Sequence, residues 1–452
     1  MPRTSMSPET AMTSWCVLDE AARERVRQLV VDALALAAAG TANDDARRAL
    51  AGLAAVAPGE TTVPWTDLRL AAPQAALALS MLIHAWDFDD THDEAVVHTA
   101  TVVVPSALAA GAIAPVPGDG LLGAVAAGVQ VFSRLARLVG ARPGVIRTAG
   151  VGPVAAAVTA AHVFGLDEET TRAAAALAVG STLSPSSRQA VVDGSVAKRL
   201  QPGFAAATGL TSAGLARAGL SGPHGWLTGD FGMLPGTDTT WAHLLAGPAE
   251  INDVAVKPYP ACRYTHAALV AAHEVHATQP TLGAGDRVVV HVPAGAAYAL
   301  VARPYAERGE PLVDAQFSIP WQIAAIWATG SYELQTLTRH LHDPRIPQLA
   351  RQVEVRQDLP ESAVMSGARL DLVRDGAVVA TADADMPGAG AALPREVLGA
   401  KARSCLEVAG VADPGSAVER LFDLVDALPD LDADATTLAL RELSPGAPIQ
   451  QR

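Results

Sequence analysis

The sequence predicts a mainly α-helical protein, with a large all-helical domain formed by both chain ends and a smaller α+β lid domain inserted between them. Three observations predict this fold class. Half of the 452 residues are apolar but only 4% are aromatic, so the core must be built from Ala, Val and Leu, which suits closely packed helices. Apolar residues recur at helical spacing towards both ends of the chain. Alternating, strand-like segments begin only after Ile251.

Helical periodicity, punctuated by Gly and Pro, defines the individual helices. Before residue 250 the predicted helices are Asp19–Ala39, Pro73–Trp86, Thr101–Gly111, Leu121–Val139, Val154–Phe164, Glu168–Val179 and Ala205–Ala218. A further helix is predicted at Pro394–Ala409. We therefore assign residues 1–250 and 391–452 to the helical domain.

The intervening residues, 251–390, combine strands with helix. The predicted elements are the strands Arg287–Pro293 and Gln352–Arg356, a helix at Ile319–Trp327, and a hairpin at Ala368–Asp385 that turns at Asp375-Gly376. Two domains imply a cleft between them, and small-molecule sites form in clefts. We therefore expect this region to act as a lid.

Composition excludes several classes of partner. The net charge is −14 and no Lys/Arg-rich run occurs, so we expect no nucleic-acid partner. The stretch Ala95–Gly118 lacks Asp, Glu, Lys and Arg, but its three prolines and missing basic flanks predict a buried helix with loops rather than a membrane span. The first twenty residues lack the apolar core of a signal peptide, and three cysteines without CxxC spacing fit a reducing compartment. We expect a cytoplasmic protein.

Lysine is rare, with three residues against thirty arginines. Most cationic surface positions accept either residue, so a retained lysine marks a candidate position for a compact ammonium that can lose its proton when buried. The alternative is that each remaining lysine persists by chance and has no special role. Lys401 lies in an Ala/Arg-rich helical pattern and is predicted to be on the surface. Lys198 and Lys257 lie beside Gly and Pro, where sites often form.

The densest polar cluster runs from His84 to Glu94, directly after a predicted apolar helix. One hypothesis is a solvated loop. A second is a Mg²⁺-dependent isoprenoid-type enzyme, because Asp89, Asp90 and Asp93 form a DDxxD string whose hard oxygens suit Mg²⁺ and a diphosphate. The scarcity of aromatic residues and the lack of a second metal motif argue against it. A His92-Asp93 phosphohydrolase is weaker still, and we predict no metal.

A third hypothesis joins this cluster to later segments. In chain order they are DFDDTH with His98 after it, AGVGPVAAAVTAAHVFGLDEETTRAAAALA, VDGSVAKRLQPGFAAATGLTSAGLARAGLSGP, VKPYPACRYTHAAL and DAQFSIPWQIAA. Together these segments resemble the MmgE/PrpD family, which includes 2-methylcitrate dehydratases, cis-aconitate decarboxylases and an iminodisuccinate epimerase.

The resemblance implies a lyase that needs no cofactor or metal, binds a small polycarboxylate between the helical domain and the lid, and forms a homodimer through the helical domain. Proton abstraction α to a carboxylate is the implied chemistry, with a dehydratase as the first choice. A decarboxylase, an epimerase or isomerase, and a non-catalytic family descendant remain alternatives.

Carried over residue by residue, the resemblance implies catalytic roles for Asp87, His98, Lys198 and Lys257. The predicted substrate-binding residues are Thr91, Arg147, Arg199, Tyr259, Arg263 and His266. Ammonium groups in a dry cleft stabilise the charge that α-deprotonation creates, and a histidine can move the proton. As alternatives, His98 would be a core histidine, Asp87 a cap or an arginine partner, and the residues near Lys257 lid packing.

The sequence also departs from the family pattern. One family histidine aligns with Ile146 and another with Gln201, while a family His-Pro string appears as His98-Thr99. Reactions that need two imidazoles should be impaired by the loss. We therefore expect an altered substrate with an apolar substituent, or without a carboxylate, near Ile146, and poor decarboxylation of cis-aconitate.

Overall fold

The computed structural model describes residues 15–182, 187–362, 365–387 and 392–441. In chain order its helices are α1 Glu20–Gly40, α2 Asp44–Val56, α3 Ala72–His84, α4 Ala100–Ile113, α5 Gly118–Val139, α6 Arg147–Val163, α7 Glu168–Ala178, α8 Gln189–Val192, α9 Ala197–Arg217, α10 Trp241–Leu245, α11 His266–Thr278, α12 Ala296–Val301, α13 Pro311–Gln316, α14 Ile319–Thr329, α15 Leu334–His340, α16 Arg345–Ala350, α17 Arg395–Val408, α18 Pro414–Ala427 and α19 Ala433–Arg441. The strands are β1 Pro58–Thr62, β2 Arg69–Leu70, β3 Thr91–His92, β4 Val254–Ala255, β5 Arg287–Pro293, β6 Val353–Leu359, β7 Ala368–Arg374 and β8 Ala377–Ala384.

Small side chains let the long helices pack closely. Helix α9 packs against α6 and α3, and α5 packs against α6. At Gly209 of α9, an added Cβ would lie 2.3 Å from Cβ of Ala156 and 2.6 Å from the carbonyl oxygen of Pro153. Only glycine fits at this contact, because atoms cannot approach that closely. The mainly helical prediction is confirmed, and the core consists largely of Ala, Val and Leu.

The longer strands form one four-stranded sheet in the order β6-β5-β7-β8. Strand β5 runs parallel to β6 and antiparallel to β7, which continues into β8 as a hairpin. Asp375 and Gly376 adopt positive φ angles of 51° and 80° at the hairpin turn, as the Asp-Gly sequence predicts. Helix α11 covers β7 and β8.

Helix α17, from the last part of the chain, packs against α1 near its start. Its Lys401 is not a surface residue as predicted: only 8% of its side chain is exposed, and its Nζ lies 2.8 Å from Oδ1 of Asp32 in α1. The same ammonium donates to the carbonyl oxygen of Phe88 at 2.8 Å and lies 4.1 Å from the centre of the Phe88 ring. Burial raises the pKa of Asp32 to about 6. The Ala/Arg-rich pattern around Lys401 could not predict this contact, because Asp32 is more than 300 residues away in sequence.

Among the residues that the structure describes, one helix, α5, is long and apolar enough to cross a membrane by length and composition. In the structure 83% of its most apolar window is buried inside the protein, which is typical of a core helix. The apolar stretch noted in the sequence instead forms the buried helix α4 with loops on both sides. The first 14 residues, and with them most of the segment on which the signal-peptide prediction was based, lie outside the described residues.

Most predicted helices exist, with different ends. Helix α9 begins eight residues before the predicted Ala205 and α6 begins seven residues before Val154. Each contains an internal proline, at Pro202 and Pro153. A proline is expected to end or interrupt a helix, but each of these helices continues through its proline, which removes one backbone N–H donor. These extra turns carry Lys198 and Arg147.

Candidate active site

The polar cluster forms a buried loop between α3 and α4. Its Asp87, Asp89 and Asp90 side chains are at most 1% exposed, so the solvated-loop hypothesis is wrong. Asp87 and Val96 adopt positive φ angles of 49° and 52°. Such backbone conformations cost on the order of 1–3 kcal/mol and persist only where surrounding contacts hold them.

A short strand pairing brings Lys257 to this loop. Strand β3 pairs antiparallel with β4, and Lys257 follows β4 by two residues. The fully buried Lys257 Nζ donates to the backbone carbonyl of Asp87 at 2.8 Å and to its Oδ1 at 3.0 Å. Lys257 therefore holds both the side chain and the left-handed backbone of Asp87.

Two further cations from the first turn of α9 surround Asp87. Lys198 Nζ lies 3.6 Å from its Oδ1, and Arg199 Nη1 lies 3.6 Å from its Oδ2. Burial alone would raise the pKa of Asp87, but the charges of Lys198, Lys257 and Arg199 hold the pKa of that carboxyl well below its usual range. Asp87 is therefore an ionised carboxylate at the centre of a cationic cluster.

Lys198 lies between this cluster and the cavity described below. It is 4% exposed, and its Nζ contacts Nε2 of His84 and lies 5.7 Å from the centre of the Phe317 ring. Burial lowers the pKa of Lys198 to about 8, although Asp87 opposes the shift. Roughly a tenth of such a group is neutral at pH 7, so Lys198 can both give and take a proton.

Two histidines share the carboxylate of Asp89. His84 Nδ1 lies 2.8 Å and 2.9 Å from its two oxygens, and His98 Nδ1 lies 3.3 Å from Oδ2. Burial lowers the pKa of His84 to about 3, which keeps this imidazole neutral. Burial would raise the pKa of Asp89, but the two imidazoles hold it well below its usual range. An ionised carboxylate thus anchors both rings.

A cavity of about 910 Å³, its opening to solvent included, lies beside these groups. Six predicted site residues line it: Asp87, Thr91, His98, Arg147, Lys198 and Arg263. Much of the remaining wall is apolar, including Ile146, Leu300 and Phe317. An apolar wall with a few converging charged groups is typical of a site for a small organic ligand.

Two of the predicted residues lie behind the cavity wall. Lys257 and Arg199 do not line the cavity, and both face Asp87 instead. Arg199 also donates to Oε1 of Gln316. In the structure Lys257 and Arg199 are therefore partners of Asp87, and their predicted roles towards a substrate stay predictions.

Tyr259 and His266 do not reach the cavity either. The Tyr259 ring stacks on His273 at 5.7 Å and meets His266 edge-on at 5.4 Å. His266 is fully buried, with Nε2 lying 3.2 Å from the carbonyl oxygen of Ala261. Neither residue lines the cavity, and the contacts of both side chains are with helix α11 and the loop before it. Their role in substrate binding stays a prediction.

The three carboxylates of the DDxxD string bind three different partners. Asp90 accepts hydrogen bonds from Thr99 and Ala100 and so caps α4. Asp93 forms a two-point ion pair with Arg263 at 2.7 Å and 2.9 Å. Asp89 binds the two histidines. Within the described residues, no group of three ligand atoms close enough to share one ion includes Asp90 or Asp93, which contradicts the geometry that the isoprenoid-type hypothesis requires.

Another group could geometrically hold an ion. The ligand atoms of His84, Asp87, Asp89 and His98 lie within 4.8 Å of one another. The ammonium of Lys198 already lies on His84 Nε2, and that of Lys257 on Asp87 Oδ1. A divalent cation there would have to displace these buried ammonium groups or bear their repulsion. The donor set therefore suits protons better than a metal.

The cavity also contains a cation without a carboxylate partner. Arg147, the first residue of α6, is half-buried, and burial lowers its pKa. In the part of the chain that the structure describes, no acidic side chain pairs with it. Ile146 precedes it on the cavity wall. Gln201 lies elsewhere and donates to the carbonyl of Ser187 at 2.6 Å.

The sequence did not identify several residues of the site. His84 enters the sequence analysis only as the start of the polar cluster, although its position three residues before Asp87, at the end of the apolar helix, was a usable signal. Cys262 and Tyr264 also line the cavity. Burial raises the pKa of Cys262 to about 11 and that of Tyr264 to about 12, so both are neutral donors at ordinary pH.

Comparison with known proteins gives two results. Residues 11–240 match the MmgE/PrpD N-terminal domain, and residues 259–423 match the MmgE/PrpD C-terminal domain. The chain is 27% identical over 223 residues to cis-aconitate decarboxylase of Aspergillus terreus, and equally to that of Aspergillus terreus strain NIH 2624 / FGSC A1156. Each match covers 46% of this chain and 44% of the relative, so the matched part is less than half the length of these relatives.

Proposed function

The chain belongs to the MmgE/PrpD family, and on that premise we propose that it is a cofactor-independent lyase acting on a small polycarboxylate by proton abstraction α to a carboxylate. The similarity to cis-aconitate decarboxylase supports a lyase-type role. The observation that carries the proposal is the placement of His98 and Lys198 on one cavity wall, against the ionised Asp87. We propose dehydration as the first reaction to test.

In this elimination His98 and Lys198 act as base and acid. Nδ1 of His98 is engaged by Asp89 and by the carbonyl of Asp90, which leaves Nε2 to take the α proton. The electrons of that C–H bond form the carbon–carbon double bond, and the C–O bond breaks as Lys198 protonates the departing hydroxyl to water. A pKa of about 8 for Lys198 is close to that of an effective acid at neutral pH.

Arg147 and its neighbours support a substrate with one anionic and one apolar part. A guanidinium binds a carboxylate through two parallel hydrogen bonds, and Arg147 has no acidic partner among the described residues. Ile146 and Phe317 offer only apolar contact. We therefore propose a hydroxy acid whose carboxylate binds Arg147 and whose apolar substituent packs near Ile146, beneath a lid formed by residues 251–390.

A decarboxylase is the second candidate, favoured by the 27% identity to cis-aconitate decarboxylase. That reaction breaks the bond between a carbon and its carboxylate group, releases CO₂ and protonates the remaining carbon. Ile146 stands where family members place a histidine, so a second imidazole for that protonation is missing here. An epimerase would need two opposed proton carriers and is disfavoured for the same reason.

A substrate panel separates these reactions. Purified protein is offered 2-methylcitrate, cis-aconitate and less polar hydroxy acids, with the new double bond followed by ultraviolet absorbance and CO₂ by a coupled assay. We expect double-bond formation from a hydroxy acid and little CO₂ from cis-aconitate. Turnover of cis-aconitate with kcat/KM of about 10⁴ M⁻¹s⁻¹ or above would reject the inference drawn from Ile146.

Charge-conserving variants test the assigned roles. Lys198→Arg should lower kcat/KM at least about tenfold, because a guanidinium is larger and does not give up its proton. Arg147→Lys should raise KM more than it lowers kcat. Arg172→Lys, on the exposed face of α7, is the matched control and should change neither. Equal behaviour of all three variants would contradict the proposed site.

We also propose that the protein is cytoplasmic and forms a homodimer through its helical part. Helix α9 exposes Phe204 and Leu215, which lie on the same face because eleven residues complete about three turns. Exposed apolar side chains on one helix face support a contact between copies. Light scattering on wild type and Leu215→Glu tests it: the variant should shift towards a monomer, and an unchanged mass would exclude this face.

A further inference from the structure

A continuous series of polar contacts runs beneath the cavity, from Lys198 through His84 and Asp89 to His98. Lys198 Nζ contacts Nε2 of His84, and His84 Nδ1 lies 2.8 Å from Oδ1 of Asp89. The other oxygen of Asp89 lies 3.3 Å from Nδ1 of His98. His84 and Asp89 are fully buried and do not line the cavity. They can influence a bound molecule only through Lys198 and His98.

The chemistry of these partners fixes where the protons lie. An ionised carboxylate only accepts hydrogen bonds, so Nδ1 of each histidine must carry the hydrogen that points to Asp89. His98 Nδ1 has a second acceptor, the carbonyl oxygen of Asp90, at 3.0 Å. Nε2 of a neutral His84 is therefore an acceptor that faces the Lys198 ammonium. Nε2 of a neutral His98 keeps its lone pair.

Lys198 thus has an uncharged nearest partner. Burial lowers the pKa of His84 to about 3 and that of Lys198 to about 8. The charged groups that face Lys198 are Asp87, Asp89, Arg199 and Lys257. The two carboxylates favour the ammonium and the two cations favour the neutral amine, which leaves the proton of Lys198 weakly held.

We propose that Asp89 is a positioning residue that fixes the Nδ1-protonated tautomer of His84 and, together with the carbonyl oxygen of Asp90, that of His98, and that His84 presents the resulting acceptor to Lys198. One buried carboxylate then sets both the proton donor, Lys198, and the proton acceptor, His98. The tautomers follow from the geometry alone, whereas their effect on turnover rests on the proposed lyase function.

Nitrogen-15 NMR of protein labelled in histidine tests the tautomers in the wild type, without any substrate. Signals are assigned by their loss in His84→Gln and His98→Gln. Near neutral pH, His84 should show a protonated Nδ1 and an unprotonated Nε2, and the neutral form of His98 should carry its hydrogen on Nδ1. A protonated Nε2 in His84, or the Nε2-protonated neutral form of His98, would overturn the proposal, whatever the enzyme does.

Lysine NMR tests the next step, and the chain suits it because it has only three lysines. Labelling at the ε-carbon gives three signals, which Lys198→Arg and Lys401→Arg assign. The Lys198 signal should titrate near pH 8. In Asp89→Asn the carboxylate charge that favours the ammonium is lost, and a His84 that turns presents an N–H to Lys198. Both changes should lower the midpoint, together by about one pH unit or more. An unchanged midpoint in a folded variant would overturn the proposal.

Turnover gives the third readout, with the acid that the substrate panel identifies as the probe. Asp89→Asn should lower kcat at least about a hundredfold with little change in KM, because a wrong tautomer impairs proton transfer rather than binding. The matched control is Asp358→Asn, which removes another histidine–carboxylate pair, with His291 at 2.8 Å on the sheet, and should leave kcat unchanged. Equal losses would overturn the proposal. If no acid is turned over, the proposed function fails and the NMR results still decide the tautomers.

Discussion

The buried, neutral His84 should make the protein lose stability in mild acid. A histidine in the unfolded chain has a pKa of about 6.5, whereas burial lowers the pKa of His84 to about 3 in the folded protein. Below about pH 6.5, His84 binds a proton in the unfolded state, but it stays unprotonated in the folded state. The contribution of His84 is therefore fully present above the unfolded pKa and is lost as the pH falls towards 3.

The magnitude follows from proton linkage. Each pH unit in this window costs about 1.4 kcal/mol per histidine, so acidification from about pH 7.5 to about pH 5 should remove about 2 kcal/mol through His84. His84→Gln is the appropriate variant, because an amide can still donate to Asp89 and accept from Lys198 but does not titrate. Asp32, whose pKa is raised to about 6, acts with the opposite sign but is present in both proteins and cancels.

Urea denaturation of both proteins at several pH values, followed by circular dichroism and tryptophan fluorescence, measures this difference. Coincidence of the two probes checks that the transition has two states. The stability of the wild type relative to His84→Gln should fall by about 2 kcal/mol over the range. His224→Gln, at an exposed position, should leave the pH dependence unchanged. A wild-type-to-His84→Gln difference that stays constant with pH would refute the assignment of a neutral buried imidazole.

Three further outcomes are expected. Lys257→Met should lower the free energy of unfolding, measured in urea, by about 3 kcal/mol. This is the low end for breaking a buried ion pair, because two other cations still face Asp87. A loss below about 1 kcal/mol would show that the ion pair is dispensable. Lys401→Arg should cost about 1–2 kcal/mol, since a guanidinium cannot reproduce both 2.8 Å contacts of that ammonium, and an unaffected variant would return Lys401 to the role of a surface residue. Dialysis against EDTA should leave turnover intact, whereas loss that Mg²⁺ restores would favour the DDxxD hypothesis.

The fold was largely predictable because its signals are local. Helical periodicity and the Asp375-Gly376 turn reflect interactions within a few residues, and both are confirmed in the structure. The first turns of α6 and α9 were not predicted, because Pro153 and Pro202 were expected to mark helix boundaries. The domain boundaries remain a prediction.

The site was predictable only in part, because it depends on contacts between distant segments. Asp87, His98 and Lys198 could be named from motifs, and the structure brings them to one cavity. No local pattern shows that Lys257 lies behind Asp87, or that Tyr259 and His266 face inwards, since those facts depend on how β4 and α11 pack. The contacts of Asp89 with His84 and His98 were not predicted either, because the DDxxD string that contains Asp89 suggested a metal site.

The burial of the lysines has a consequence for surface chemistry. Lys198 is 4% exposed, Lys257 is fully buried and the Lys401 side chain is 8% exposed, so the folded protein offers almost no ε-amino group to an electrophile in solution. Acylating reagents and amine cross-linkers, which decorate most proteins at many places, should therefore leave its exterior nearly untouched. Lys198 borders the cavity beside the polar cluster, which opens to solvent, and its lowered pKa keeps part of it in the nucleophilic amine form. A small aldehyde with a mild reductant should therefore tag one of the three lysines, and the rate of tagging at Lys198 would report directly on access to the cavity.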